Sequence, residues 1–307
     1  MIATLTMSPA VDMFASTEQL HTDSKSRCTI NNREPGGGGI NVARNLKRLG
    51  LDVLAVFPAG GYNGQLLQEM LQRYELPFLA VPIAAETTQN IGLTETGPDR
   101  QFHLVFPGAV LQEQEWNNCL AAINDLMPQP EYLVISGSLP PSVPPDFFAR
   151  VAADANKSGL KVVLDTSGPA LKPVLDVGVH LVKLNREEFA ELGYSGDGDI
   201  ESRLELMGRM VESGYAENLI VTLGPNGALL ATRNGDQLHA CPPPTPVVSH
   251  VGAGDSFVSV MTYQLYQGMP VTQAFRYGVA AAAAAISAPG NQLDGLRRVE
   301  TILEQMK

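Results

Sequence analysis

Two rhythms of apolar residues alternate along this chain. Short runs such as Ile2 to Leu5, Tyr132 to Ile135, Lys161 to Leu164, His180 to Leu184 and Leu219 to Thr222 have the length and β-rich content of strands. Between them, Pro144 to Ser158 and Ile200 to Ser213 read as amphipathic crossover helices. This alternation predicts an α/β fold, a mostly parallel central sheet flanked by helices on both faces. The alanine-rich run Val279 to Ile286 is too short to span a bilayer and follows Arg276, so it reads as a closely packed buried helix.

Two segments break the rhythm, Val11 to Glu34 and Glu86 to Gly108. In the second, Ile91 to Thr94 and Gln101 to Phe106 flank a Gly97-Pro98-Asp99 turn and predict a hairpin. The expected division is an α/β body of residues 1–10, 35–85 and 109–307, with β inserts at 11–34 and 86–108.

Glycines mark the candidate chemistry. In Val251-Gly252-Ala253-Gly254-Asp255-Ser256, small residues turn tightly before a helical pattern of Phe257, Val258, Met261 and Leu265. A helix start offers N–H groups and a positive dipole end to a phosphate, and Asp255 stands beside it as a candidate base. Upstream, Pro35-Gly36-Gly37-Gly38-Gly39-Ile40-Asn41 leads straight into a second helical pattern, which fits close approach of backbone to a ligand better than a linker. Neither cluster is a dinucleotide fingerprint: counted from Gly36, Gly37 or Gly252, the last glycine position falls on Asn41, Val42 or Phe257. No Walker lysine follows either loop.

On these motifs the chain resembles the ribokinase and phosphofructokinase-B family of sugar kinases over nearly its whole length. Gly37-Gly38-Gly39-Ile40-Asn41 through Ala43, Gly50 and Gly60 is similar to its first signature, and Gly252-Ala253-Gly254-Asp255 to its second. Ser136-Gly137-Ser138-Leu139-Pro140, Lys183-Leu184-Asn185-Arg186-Glu187-Glu188 and Thr222 to Ala228 resemble elements between them. The opening Thr4 to Asp12 and the unbroken four glycines are similar to the phosphosugar branch, nearest the B-type 6-phosphofructokinases. Its 1-phosphofructokinases and tagatose-6-phosphate kinases typically carry lysine where this chain has Gly38.

The resemblance implies a ribokinase-like kinase that uses ATP and magnesium, with fructose 6-phosphate as the leading acceptor. Asp255 is implied as general base and Gly252, Ala253 and Gly254 as the anion hole; Asp12, Asn41, Gly37, Gly38 and Ser138 fall on the acceptor side. Lys183, Asn185, Glu188, Thr222, Gly224 and Gly227 fall on the nucleotide side, with Glu188 supporting magnesium through water. Backbone at Ser249, Val251 and Gly290 resembles a monovalent-cation site for potassium. The two inserts are implied to form a small β-sheet lid, shared across a homodimer. There Thr88 and His103 stand where the branch has phosphate-binding arginines, while Lys25 matches a lid lysine and Arg27 and Arg100 are nearby cations. Other acceptors stay open: tagatose 6-phosphate, fructose 1-phosphate, or an uncharged sugar or nucleoside. A weakly catalytic sugar or nucleotide sensor is the reading from another class.

Composition agrees with such an enzyme. At 307 residues and 44% hydrophobic, the chain is long enough to bury a large core. A net charge of −11 argues against nucleic-acid partners and leaves no basic membrane patch. Three scattered cysteines, Cys28, Cys119 and Cys241, suggest neither a disulfide framework nor a zinc motif, and the N-terminus lacks signal-peptide character. A reducing cytoplasm is the expected home.

Overall fold

The computed structural model describes residues 1–98, 100–193, 199–248, 252–287, 293 and 295–306. The chain opens with β1 (Ile2–Leu5), then leaves the body for β2 (Ala10–Thr17) and β3 (Thr29–Gly36). It returns through α1 (Gly38–Arg48), β4 (Val53–Ala59), α2 (Gly61–Arg73) and β5 (Phe78–Pro82), and a second excursion makes β6 (Thr88–Glu95) and β7 (Arg100–Leu104). Alternation resumes with α3 (Glu113–Asn124), β8 (Tyr132–Ser136), α4 (Phe147–Lys157), β9 (Lys161–Asp165) and α5 (Leu171–Val177). It continues through β10 (Val179–Asn185), α6 (Arg186–Glu191), α7 (Ile200–Glu212) and β11 (Ala216–Thr222). A hairpin of β12 (Ala228–Thr232) and β13 (Gln237–Ala240) precedes α8 (Ala253–Tyr266), α9 (Val271–Ile286) and α10 (Leu296–Gln305).

The main sheet runs β13-β12-β11-β10-β9-β8-β1-β4-β5, parallel from β5 to β11 and antiparallel only where β12 and β13 add the edge. Parallel strands are covered on both faces, which is why their apolar runs are nearly continuous. Alternate residues then serve opposite layers: Leu133 and Ile135 join Trp116, Phe147 and Phe148 on one side. Tyr132 and Val134 join Ile40, Phe257 and Phe275 on the other. The expected α/β class, strands and crossover helices are thus borne out, and the alanine run lies inside α9, buried over most of its length. Among the described residues no helix is long and apolar enough to cross a membrane.

β2, β3, β6 and β7 form a separate sheet in the order β3-β2-β6-β7. β6 and β7 pair antiparallel, so the predicted hairpin is present, while β2 and β6 run parallel, a pairing the sequence did not announce. The Gln101 side chain donates to the Val248 carbonyl at 3.5 Å, so this sheet touches the stretch that leads toward α8.

Candidate active site

Side chains converge where the C-terminal ends of β9 and β10 meet the N-termini of α1 and α8, the usual ligand crevice of an open α/β sheet. Gly252 makes the turn into α8 with φ 79°, a left-handed conformation that any side chain would strain. Ala253, Gly254 and Asp255 fill the first turn, and no side chain caps it. Across from it, the first turn of α1 carries Asn41, whose Nδ2 donates to Asp255 Oδ2 at 2.9 Å. Asn41 is therefore a partner of the candidate base rather than a helix cap.

Burial, then the charge of Asp165, pushes the Asp255 carboxyl up to about 6, against the opposing pull of Asn41 and Lys183. Such a carboxylate is charged at neutral pH yet more basic than an ordinary aspartate. It remains far too weak to ionise an alcohol beforehand, so proton removal must accompany bond formation. Lys183 Nζ lies 2.7 Å from Asp165 Oδ1, the lysine buried and the aspartate partly covered. Burial pulls the Lys183 ammonium down, but Asp165, Glu188 and Asp255 outweigh it and hold it above its usual value. The same Nζ is 3.6 Å from where a Cβ on Gly254 would stand, which puts a permanent cation at the glycine turn.

Asn185 and Glu188 form a reciprocal capping box at the start of α6: Glu188 N–H donates to Asn185 Oδ1 at 2.8 Å, and Asn185 N–H to Glu188 Oε2 at 2.7 Å. Burial raises the Glu188 carboxyl, while the Asn185 N–H and Lys183 pull it down. Among the described residues no group of three or more acidic, histidine or cysteine side chains is placed to hold a metal ion. An amide and one carboxylate instead fit a magnesium ion that keeps most of its water. Thr222, Gly224 and Gly227 line a cavity of about 330 Å³ walled by Phe257 and Val279, beside Ala253 and Gly254. Its largely apolar lining suits a flat base.

On the acceptor side Asp12 is 8% exposed and accepts from Asn90 Nδ2 at 2.9 Å. Burial raises its carboxyl, Asn90 and the nearby His103 lower it, and its charge is felt in turn by Asp255. Gly38 and Gly39 bring α1 against the strand ends: a Cβ on Gly38 would strike Ser136 Oγ, and one on Gly39 would meet Leu5 O at 2.8 Å. Gly37 forms the turn before them.

The remaining candidates sit further out. Ser138 is exposed and its carbonyl accepts from Ser8 Oγ; Lys25 is exposed on the connection between β2 and β3. His103 is exposed on β7, in register with Gly92, and Thr88 Oγ1 donates to the Pro107 carbonyl at 2.8 Å. Arg100, read from sequence as a phosphate candidate, is instead held by the buried Glu95 at 2.7 Å. Ser249, Val251 and Gly290 lie outside the described residues. Two residues went unassigned in the sequence reading, Asp165 and Asn90. Asp165 ends an apolar strand at the ligand side of the sheet, a usable signal; Asn90 is one polar position among several in β6.

A model of the pfkB family of carbohydrate kinases matches residues 6–297. The chain belongs to that family. It is 38% identical over 303 residues to the ATP-dependent 6-phosphofructokinase isozyme 2 of Mycobacterium tuberculosis H37Rv, covering 99% of this chain and 89% of the relative. Two crystal structures of Escherichia coli phosphofructokinase-2 superpose closely. The complex with potassium has TM-score 0.93 at 36% identity, and the complex with fructose-6-phosphate 0.91 at 35%; each covers 99% of this chain and 98% of the other. Family membership makes this chain a carbohydrate kinase, as its glycine motifs led one to expect, on a ribokinase-like fold.

Proposed function

We propose that the protein transfers the γ-phosphoryl group of ATP to fructose 6-phosphate, giving the 1,6-bisphosphate. The observation that carries this is Asp255, paired with Asn41 at 2.9 Å at the uncapped start of α8 and raised to about 6. As the C1 hydroxyl oxygen forms its bond to the γ-phosphorus, the bond to the β-bridging oxygen breaks and ADP leaves. The hydroxyl proton passes to Asp255. Gly252, Ala253 and Gly254 face the transferred group with backbone N–H, and Lys183 adds charge beside them. Thr222, Gly224 and Gly227 would hold the nucleotide; Asn185 and Glu188 would hold hydrated magnesium, which would screen the phosphate charge.

Asp12, Asn41, Gly37 and Gly38 are the proposed contacts for the sugar, with the four-stranded sheet as its lid. Lys25, Ser138, Thr88 and His103 are the proposed surroundings of its phosphate. The sheet face away from Asp12 supports a homodimer through the lid: Ile91 pairs with Leu104 and Leu93 with Phe102, and Leu104 is 46% exposed. Potassium at Ser249, Val251 and Gly290 is supported by the potassium complex of the Escherichia coli enzyme. Three free cysteines suit a reducing cytoplasm.

An uncharged sugar is the second reading, favoured because the Thr88 hydroxyl is engaged by the Pro107 carbonyl and Arg100 by Glu95. A panel with ATP and magnesium decides: fructose 6-phosphate should outrun fructose, fructose 1-phosphate, tagatose 6-phosphate and nucleosides in kcat/KM. Lys25→Ala should raise the fructose 6-phosphate KM roughly ten- to a hundredfold, the scale of one lost charge-assisted bond. Equal use of fructose and its phosphate refutes the phosphosugar reading and leaves the kinase reading standing.

A further inference from the structure

One side chain on the acceptor side joins three parts of the small sheet. Asn90 sits opposite Asp12 in the parallel pairing of β2 with β6. Its Nδ2 donates to Asp12 Oδ1 at 2.9 Å, while its Oδ1 accepts the Phe106 N–H at 3.1 Å. Two residues earlier on the same strand, Thr88 Oγ1 donates to the Pro107 carbonyl at 2.8 Å. The segment that leaves β7 is therefore latched to β6 at two adjacent points, and one latch ends on the Asp12 carboxylate. A short side-chain amide donates to a carboxylate through nitrogen and accepts a backbone N–H through oxygen; a carboxylate or an alkyl group in its place forfeits one bond or both.

We propose that Asn90 is the positioning residue of the acceptor site, fixing the Asp12 carboxylate for sugar hydroxyls and coupling it to the chain segment that leaves β7. This rests on the reading of Asp12 as a sugar ligand. With Oδ1 of Asp12 held by Asn90, Oδ2 keeps a defined direction. The charged groups around Asp12 come from several elements: His103 on β7, Glu34 on β3, Arg44 on α1 and Asp255 on α8. The uncharged Asn90 donates a hydrogen bond directly to Asp12, and it favours the charged carboxylate against burial.

The test is calorimetric titration with fructose 6-phosphate, and with fructose as a second probe, from acid to neutral pH in an Asp255→Asn background, which removes the titration of Asp255 and leaves that of Asp12. Asn90→Ala should weaken sugar binding roughly tenfold or more and leave ATP binding unchanged. The acidic loss of sugar binding should also move to higher pH, because the donor that favoured charged Asp12 is gone. Asn90→Asp keeps the Phe106 contact but sets a second carboxylate against Asp12, and should move that loss higher still. Asn90→Ser, which retains a donor, should recover part of the affinity and serves if the alanine variant does not fold. Unchanged affinity and pH dependence in these variants overturns the proposal, as does a parallel loss of sugar and ATP binding at a fixed pH dependence. If the Asp255→Asn parent binds neither sugar, the acceptor-site reading itself fails.

Discussion

Asn41 Nδ2 lies 2.9 Å from Asp255 Oδ2, although 214 residues separate the two in sequence. The contact ties the first turn of α1 to the first turn of α8, and it favours the charged form of the proposed base, which burial disfavours. A carboxylic acid must be deprotonated to take a proton, so the titration of Asp255, as the proposed base, sets the acidic limit of turnover.

With Asp255 at about 6, kcat should fall as pH drops through that region. Asn41→Ala removes a donor that lowers the value, so its acidic limb should move to higher pH. Asp255→Asn should fold and bind ATP but lose turnover by about 10² or more, and the limb with it. A limb that stays put in Asn41→Ala would show that Asp255 is not the titrating base.

Lys183 and Asp165 form a covered ion pair whose halves are unequal to lose. Lys183→Met leaves the partly covered Asp165 carboxylate without its partner and should cost on the order of 3 kcal/mol in urea unfolding. Adding Asp165→Leu should return much of that stability while activity stays low. A Lys183→Met variant as stable as its parent contradicts the pairing.

Glu188→Gln keeps an oxygen for the Asn185 N–H, so the start of α6 should survive while the negative charge is lost. The magnesium concentration for half-maximal rate should rise, with the sugar KM little changed. An unaltered magnesium titration removes Glu188 from the cation's surroundings.

Gly39→Ala tests the approach of α1 to β1. Helix propensity alone predicts a gain of about 1 kcal/mol. A Cβ there would meet Thr6 Oγ1 at 2.5 Å and Leu5 O at 2.8 Å, and backbone cannot rotate away. The crowding should prevail, destabilising the protein by about 1 to 3 kcal/mol in thermal or urea unfolding. A raised Tm would show that the crevice has slack.

Local pattern carried much of this architecture. Apolar runs located β1, β8, β9, β10 and β11 to within a few residues, since strands buried on both faces leave little room for polar positions. Sheet order was not legible: β1 lies between β4 and β8, contacts far apart in sequence and fixed by packing. Asp255 and Asn41 were legible because their neighbours are glycines with a steric purpose. Asp165 was not, because one acid at a strand end looks the same whether or not a lysine arrives beside it. Nor does local pattern announce that the Arg100 guanidinium pairs with the buried Glu95.

The helix pair α1 and α8 is joined twice, by Asn41 to Asp255 and by Asn45 Nδ2 to Ser259 Oγ at 3.2 Å, one helical turn further along. During synthesis, therefore, a nascent chain that has emerged through β13 already possesses Asp12, Asn41, Lys183 and Glu188 but neither the turn nor the base. Chains stalled or cleaved before residue 252 would possess parts of both substrate surfaces without the means to join them. The proposed base arrives late, with the docking of α8 onto a helix made long before it, and the wall of the cavity beside it comes later still with α9.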